Sequence, residues 1–575
     1  MTFIDDRLLS SGPWQALERV TARLMVHGRF KDVRLIGRTG DGGADILASK
    51  SGKRYLVQVK FRSSGSIGND IVDEVLEAAR RYRASIPVLA TNRFFGEKVY
   101  RRQSDLHGAG VPIQLWDGLK LKRDWTLLPE EASCLRSPRK YQEKPIENTV
   151  NWFLSGEFMS GLIIMATGLG KTFVAASSIR QLLSNFKEKL GKVLVLAHTN
   201  ELVYQLEKAF WPFLNKRNQT AVWNGYERGD LISSKVTFAC IDSVSREIER
   251  TGGIPVHYDL VVIDEAHHAG SPTYRKLIAE LKAGERTGSH LLGMTATPWR
   301  SDEQDIEQIF KEKLCSIDII KGLANGYLAN VDYRMHLDNI KWSELKRIKK
   351  VTPRSLNRTL FIQEWNDSVI DVLQKTWSQV QAPKAIVFCS TIEHAFIMRE
   401  KINARGFSRA ELIFSGTFNG KKMSIIDRSR TLCDFSDGII GIMCAVDIFN
   451  EGIDVPDVNI LVFQRVTHSR RIFVQQLGRG LRISEGKEKV IVLDFVSDIR
   501  RIAAGLQMKE KLSKSKNYLK LGSPVKFFNK TGEDPKAENF FKEWLEDVAA
   551  IQEAGEDDSV LKYPPDFDDY NDLRS

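Results

Sequence analysis

The stretch Met165-Ala166-Thr167-Gly168-Leu169-Gly170-Lys171-Thr172 narrows what this chain can fold into more than any other. It follows an apolar run, Leu162-Ile163-Ile164, with the pattern of a buried strand, and it opens a segment with the periodicity of an amphipathic helix. At such a junction Gly168 and Gly170 let the backbone turn tightly and aim N–H groups at an anion. The helix N-terminus adds the positive end of its dipole, so the loop reads as phosphate-binding. Thr167, Gly168 and Gly170 are expected to line the nucleotide, Lys171 to meet the β- and γ-phosphates, and Thr172 to hold Mg²⁺. A second apolar run, Leu260 to Ile263, ends in Asp264-Glu265-Ala266-His267. Asp264 would complete the metal shell, and Glu265 would orient or deprotonate an attacking water. Each motif alone admits a plainer reading, as a glycine-rich turn or an acidic strand end. Two in this order, each behind its own strand, point to an NTP-hydrolysing core with ATP and Mg²⁺ as cofactors.

The remaining motifs extend this reading from about Arg139 to Asp498. Arg139-Lys140-Tyr141-Gln142 precedes the phosphate loop, and Leu196-Ala197-His198-Thr199-Asn200-Glu201-Leu202 and Thr295-Ala296-Thr297-Pro298 flank the acidic box. Ile386-Val387-Phe388-Cys389-Ser390-Thr391, Asn450-Glu451-Gly452-Ile453-Asp454 and Gln475-Gln476-Leu477-Gly478-Arg479-Gly480-Leu481-Arg482 follow. In this order they resemble the Q-type motif and motifs Ia, III, IV, V and VI of superfamily 2 helicases and translocases. Met-Ala-Thr-Gly, Leu-Ala-His and Thr295 to Arg300 lean toward the motors of type I restriction enzymes and their DNA-repair relatives. The resemblance implies two RecA-like domains. Arg139 and Gln142 would then contact adenine, Thr199 the nucleic-acid backbone, and Gly452, Asp454 and Gln475 the nucleotide. Arg479 and Arg482 would be arginine fingers that neutralise transition-state charge and tie hydrolysis to domain closure.

Upstream, Val33-Arg34-Leu35-Ile36, Asp45-Ile46-Leu47-Ala48 and Tyr55-Leu56-Val57-Gln58-Val59-Lys60 read as strands, with the turn Gly40-Asp41-Gly42-Gly43 after the first. Gln58 and Lys60 are two apart and share a strand face, and Asp45 begins the neighbouring strand. Asn69 to Tyr82 has helical spacing, and Val88-Leu89-Ala90-Thr91-Asn92 and Ile113-Gln114-Leu115-Trp116 read as two further strands. Gly-Asp-Gly-Gly-x-Asp followed by Gln-x-Lys resembles the Mrr-like branch of the restriction-endonuclease fold. The resemblance implies Asp45 and Gln58 as Mg²⁺ ligands and Lys60 as the group that orients water and offsets charge on the phosphorane. Glu18, in the amphipathic segment Trp14 to Leu24, is a candidate further acid, and Asp41 reads as a turn residue. Spacing alone leaves solvated strand decoration open, and a domain that binds DNA without cutting it also stays open, because a neutral amide ligates Mg²⁺ more weakly than a carboxylate.

The expected fold is α/β. A restriction-endonuclease-like domain (1–125), left through a linker near Thr126 to Pro138, precedes RecA-like domains over 126–334 and 335–502. A small, mostly helical C-terminal region (503–575) follows. Net charge is +11. Residues 1–125 carry 22 Lys/Arg against 14 Asp/Glu, a net of +8, and residues 531–575 carry 4 against 14, a net of −10. The basic regions suit DNA, expected to be double-stranded, and the acidic tail suits a protein partner or competition with DNA. Lys346-Arg347-Ile348-Lys349-Lys350 reads first as a solvated helix face. Lys509 to Lys530, with Tyr518, Phe527 and Phe528 interleaved, would either track a strand or pack on the motor. Asn539 to Ile551 has a helical apolar stripe. Six cysteines form no Cys-x-x-Cys pair, and no apolar run reaches membrane-spanning length. The expected setting is cytoplasmic, with no membrane contact. Three functions remain in play: a DNA translocase coupled to an endonuclease, a DNA-repair helicase with a binding-only N-terminal domain, and an RNA helicase.

Overall fold

The computed structural model describes residues 3–4, 6–36, 43–131, 136–296, 306–336, 366–414, 417–418, 421–446, 457–464, 480–483, 487, 489–495, 525–529 and 532–533. It forms two compact units. One holds residues 1–318 and 424–433, and the other residues 319–423 and 434–575.

The first unit begins with helices α1 (Asp6–Ser11) and α2 (Trp14–His27) and strands β1 (Lys31–Leu35), β2 (Ile46–Lys50) and β3 (Lys53–Lys60). Helix α3 (Asp70–Arg81), β4 (Ile86–Thr91), α4 (Glu97–Gly108), β5 (Gln114–Trp116) and α5 (Gly118–Leu127) follow. The strands form one sheet in chain order, antiparallel from β1 to β3 and parallel from β3 to β5. Alternation along β3 divides its side chains between two cores. Val57 and Val59 pack with Leu17, Leu24 and Met25 of α2. Leu56 packs with Ile71, Val72 and Val75 of α3. Gln58 and Lys60 share the parity of Leu56, so they belong to the face that α3 covers.

Strands β6 (Ser160–Met165), β7 (Val193–Ala197), β8 (Thr220–Trp223), β9 (Val236–Cys240), β10 (Leu260–Asp264), β11 (His290–Thr295) and β12 (Glu312–Ile317) form the second sheet of this unit, in the order β12-β6-β11-β10-β7-β9-β8. Its pairings are parallel, and β6, β7, β9 and β10 are buried throughout, as continuous apolar runs covered on both faces require. The accompanying helices are α6 (Lys140–Ser155), α7 (Lys171–Asn185), α8 (Asn200–Phe210), α9 (Ile241–Thr251) and α10 (Pro272–Glu280).

The two sheets of this unit are joined by a buried polar seam. Arg19 of α2 meets Glu207 of α8 at 2.8 Å and Glu227 at 2.5 Å. Arg23 donates to the Asn215 carbonyl (3.0 Å) and lies over the Phe3 ring, while a His27 ring nitrogen lies 3.2 Å from the Trp211 carbonyl oxygen. Trp211 itself belongs to the N-terminal core. The expected linker is docked where it is described. Lys216 donates to the Leu128 carbonyl (2.6 Å), and Arg217 grips Glu130 through two nitrogens. A cation at the carbonyl end of α5 satisfies acceptors that the helix leaves open.

The second unit contains α11 (Ile319–Ala324), β13 (Asn330–His336), α12 (Asn366–Trp377), β14 (Ala385–Phe388), α13 (Ile392–Arg405), β15 (Ala410–Phe414) and the hairpin β16 (Thr417–Phe418) and β17 (Lys421–Lys422). After helix α14 (Ile425–Ser436), where the division between units falls, come β18 (Ile442–Val446), β19 (Ile460–Phe463), β20 (Lys489–Phe495), β21 (Val525–Asn529) and β22 (Gly532–Glu533). The sheet order is β15-β18-β14-β19-β20-β13-β21-β22. β13 pairs with β20 along its length, so the boundary expected at 334 falls inside a strand of the second unit, which starts at Ile319. The described part of the C-terminal region is strand rather than helix. β21 adds to the sheet beside β13, where Tyr333 to His336 pair in parallel with Val525 to Phe528. The rest of that region lies outside the described residues, including Tyr518, the Asn539 to Ile551 stripe and the acidic tail, as does the Lys346 to Lys350 run. No helix among the described residues is long and apolar enough to cross a membrane.

Candidate functional site: a phosphate loop with an acidic box, and a second acidic centre

The phosphate loop leaves the C-terminal end of β6, and the acidic box ends β10, two strands away across β11. In a parallel sheet these carboxyl ends face one crevice, the usual ligand position of such folds. Gly168 and Gly170 have φ of +94° and +88°, a region that favours glycine. A Cβ on Gly170 would also strike the Gln142 amide at 2.6 Å. Gln142 braces the loop. Its Nε2 donates to the Leu169 carbonyl (2.8 Å), its Oε1 accepts from the Arg139 N–H (2.9 Å), and the Tyr141 hydroxyl donates to the same Leu169 carbonyl. Lys171 begins α7, hydrogen-bonds Glu265, and lies 3.7 Å from Asp264 Oδ1.

The electrostatics of the box follow from burial and Lys171. Burial pushes the Asp264 carboxyl above its ordinary range; Lys171 opposes the shift and Glu265 adds to it. Burial works the same way on Glu265, but Lys171 and His267 outweigh it and hold that carboxyl well below the usual range. Asp264 Oδ1 is buried without a hydrogen-bond partner, which suits an oxygen that ligates a cation. His267 Nδ1 lies 3.2 Å from both Glu265 Oε2 and Thr295 Oγ1, linking the box to the end of β11. Thr199 caps α8, accepting from the Leu202 N–H, and Thr391 caps α13 in the same way. Arg482 is described in the second unit, half-buried beside Leu481. Thr297, Gly452, Asp454, Gln475 and Arg479 lie outside the described residues.

In the N-terminal domain Asp45 immediately precedes β2. Its backbone N–H donates to the Val57 carbonyl, and its buried carboxylate accepts from the Val59 N–H at 2.6 Å. That bond holds the carboxylate against β3 between Gln58 and Lys60. Gln58 is fully buried, and neither atom of its amide has a hydrogen-bond partner. Lys60 lies 3.3 Å from Glu74 of α3, a residue that sequence reasoning passed over. The signal was present: Glu74 is one turn after Ile71 and one turn before Ala78, both buried, which puts it on the flank facing the sheet. Glu18 is buried on α2, in the layer on the opposite face of the sheet from α3. The turn residues Gly40, Asp41 and Gly42 lie outside the described residues. Among the described residues no cluster of three His, Cys, Asp or Glu side chains forms a ready metal cage.

Three families match in succession: restriction endonuclease (Mrr_cat) over residues 9–124, type III restriction enzyme res subunit over 136–300, and helicase conserved C-terminal domain over 367–484. Similar proteins include the putative ATP-dependent helicase IRC3 of Saccharomyces cerevisiae, 25% identical over 375 residues, which are 63% of this chain and 52% of that protein. The type I restriction enzyme EcoAI endonuclease subunit of Escherichia coli is 25% identical over 492 residues, 79% of this chain and 57% of that subunit. The chain thus spans about half of the length of these relatives. Among solved structures, the ATP-dependent type ISP restriction-modification enzyme LlaBIII bound to DNA shares the fold, with TM-score 0.52 and 16% identity, over 96% of this chain and 44% of that one. The chain therefore joins an Mrr-type restriction endonuclease domain to the two RecA-like domains of a superfamily 2 helicase.

Proposed function

We propose that the protein is an ATP-driven DNA translocase coupled to a Mg²⁺-dependent DNA endonuclease, acting in restriction of foreign DNA. The observation that carries this reading is the meeting of Lys171, Asp264 and Glu265 at one sheet edge, in the same compact unit as a nuclease-type sheet bearing Asp45, Gln58 and Lys60. The loop N–H groups and Lys171 bind the ATP phosphates, with Lys171 exchanging its carboxylate partners for phosphate oxygens. Thr172 and Asp264 would hold Mg²⁺ there, and Asp45 and Gln58 would hold it in the nuclease domain; the Asp264 oxygen that takes no hydrogen bond and the Gln58 amide suit those tasks. At both sites the bound ion would supply charge neutralisation on phosphate and a more acidic water. Glu265, which keeps His267 beside it once Lys171 has turned to phosphate, accepts the proton of the attacking water. The His267–Thr295 contact passes the state of the acidic box to β11 and the motif that follows it. In the nuclease domain, Lys60 orients the water that attacks the DNA phosphodiester.

The test is cleavage of plasmid and phage DNA with Mg²⁺, with and without ATP, by wild type, Asp45→Ala and Lys171→Ala. Cutting abolished by either substitution supports a motor-coupled nuclease. Cutting lost only in Asp45→Ala separates nuclease from motor. DNA-stimulated ATPase without any cutting favours a second reading, a repair helicase whose N-terminal domain only binds DNA. Gln58 supports the binding-only part of that reading, and the similarity to the putative ATP-dependent helicase IRC3 supports its helicase part.

A further inference from the structure

We infer that Glu74 is a further acidic group of the nuclease centre, supplying from α3 the carboxylate that β3 lacks at Gln58. The inference rests on the nuclease reading above. Gly43, with φ of +85°, marks where the groups converge. A Cβ built on it would lie 2.8 Å from Gln58 Nε2 and 2.9 Å from Glu74 Oε1, so the amide and the carboxylate both come within 2.9 Å of one point. Lys60 closes the group from the other side, its Nζ 3.4 Å from Glu74 Oε1 and 3.3 Å from Oε2. Asp45 stands against the same strand through its bond from the Val59 N–H.

Three features set this arrangement apart from an ordinary surface ion pair. A buried amide with both polar atoms unpaired is disfavoured, so Gln58 as it stands calls for a partner. The Glu74 carboxylate lies beside the same Gly43 position as that buried amide, although the Glu74 side chain is 40% exposed. The backbone at Gly43 leaves no room for a side chain between them. The chemistry is consistent: a hard divalent cation prefers charged oxygens, and an amide oxygen with a single carboxylate makes a weak site. Adding Glu74 gives two carboxylates beside the Gln58 amide, with Lys60 held next to them by Glu74 itself.

The test is metal binding rather than cutting. Mn²⁺ is titrated by calorimetry into the full-length chain without nucleotide, as wild type, Asp45→Asn, Glu74→Gln and the double variant Gln58→Glu/Glu74→Gln, each checked by its melting curve. Glu74→Gln is expected to weaken the Asp45-dependent Mn²⁺ binding about 10-fold or more, and the double variant, with the carboxylate returned to the strand, to recover it. Unchanged affinity in Glu74→Gln overturns the inference and leaves the nuclease reading intact. So does a native-melting double variant that fails to recover, because a structural ion pair with Lys60 would not be replaced by Gln58→Glu. If Asp45→Asn binds Mn²⁺ as wild type does, the nuclease metal site itself is refuted, and Glu74 with it.

Discussion

Glu265 leaves β10 in the left-handed region, with φ 50° and ψ 53°. For a residue with a side chain this conformation costs on the order of 1 kcal/mol or more, and it persists where surrounding contacts over-determine it. Here Lys171 and His267 hold the carboxylate from two sides. The same contacts keep it ionised, as a proton acceptor must be. In Glu265→Gln the amide keeps the shape and loses the charge. ATP binding should persist, since Lys171 is no longer held by a full carboxylate charge, while phosphate release falls about 10²- to 10⁴-fold. Fluorescent-nucleotide titration and a phosphate-release assay check both halves; turnover within about twofold of wild type would remove Glu265 from the chemistry. Gly43→Ala makes a matching prediction in the other domain. Its methyl group would occupy the space between Gln58 and Glu74. DNA cleavage should fall while DNA-stimulated ATPase stays at the wild-type level, and loss of both together would mean that the substitution unfolds the chain.

At the scale of elements, α2 does two jobs. One face seals the N-terminal core, and the residues Arg19, Arg23 and His27 meet the segment from α8 to Glu227. Burial works against the charge on Arg19, but Glu227 and Glu207 more than offset it and keep its affinity for the proton above the ordinary value. Arg19→Ala leaves two buried carboxylates without their cation and should destabilise this unit by about 3–5 kcal/mol, read as a lower urea midpoint. His27 adds a pH dependence. Burial, with Arg23 nearby, lowers its pKa to about 3. The folded chain thus keeps His27 neutral where the unfolded chain protonates it near the usual 6.5. Above that pH the shift has no effect. Below it the unfolded state binds more protons, and stability falls by about 1.4 kcal/mol per pH unit from this group, down to about pH 3. His27→Gln should flatten the fall in melting temperature between pH 6.5 and 5; an unchanged slope would assign it to other groups. None of this seam was visible in the sequence, because Arg19 and Glu227 are 208 residues apart and no local period links them. The strands on either side were visible, since each carries its own apolar run.

For the whole molecule, the motifs marked which sheets exist better than where each one stops. β6 and β10 announced themselves because a strand buried on both faces must be apolar throughout. β13 and β21 join their sheet through pairings with partners far along the chain, which a local pattern does not record. The expected linker carried the same ambiguity: Pro138 and the polar residues before it look like a spacer, yet Glu130 and Leu128 are held by Arg217 and Lys216. The N-terminal domain is therefore fused to the first RecA-like sheet as one body, and it should not come away cleanly. A chain starting at residue 129 would uncover Trp211, which is 1% exposed, and strand Glu207 and Glu227 without Arg19. We expect that chain to aggregate or to melt well below the full chain, while Asp45→Asn in the full chain, which keeps an acceptor for the Val59 N–H, melts close to wild type. A trimmed chain that stays monodisperse, with wild-type melting and wild-type ATPase, would show that the seam is a contact and not a structural joint, and Arg19→Ala should then be nearly silent as well.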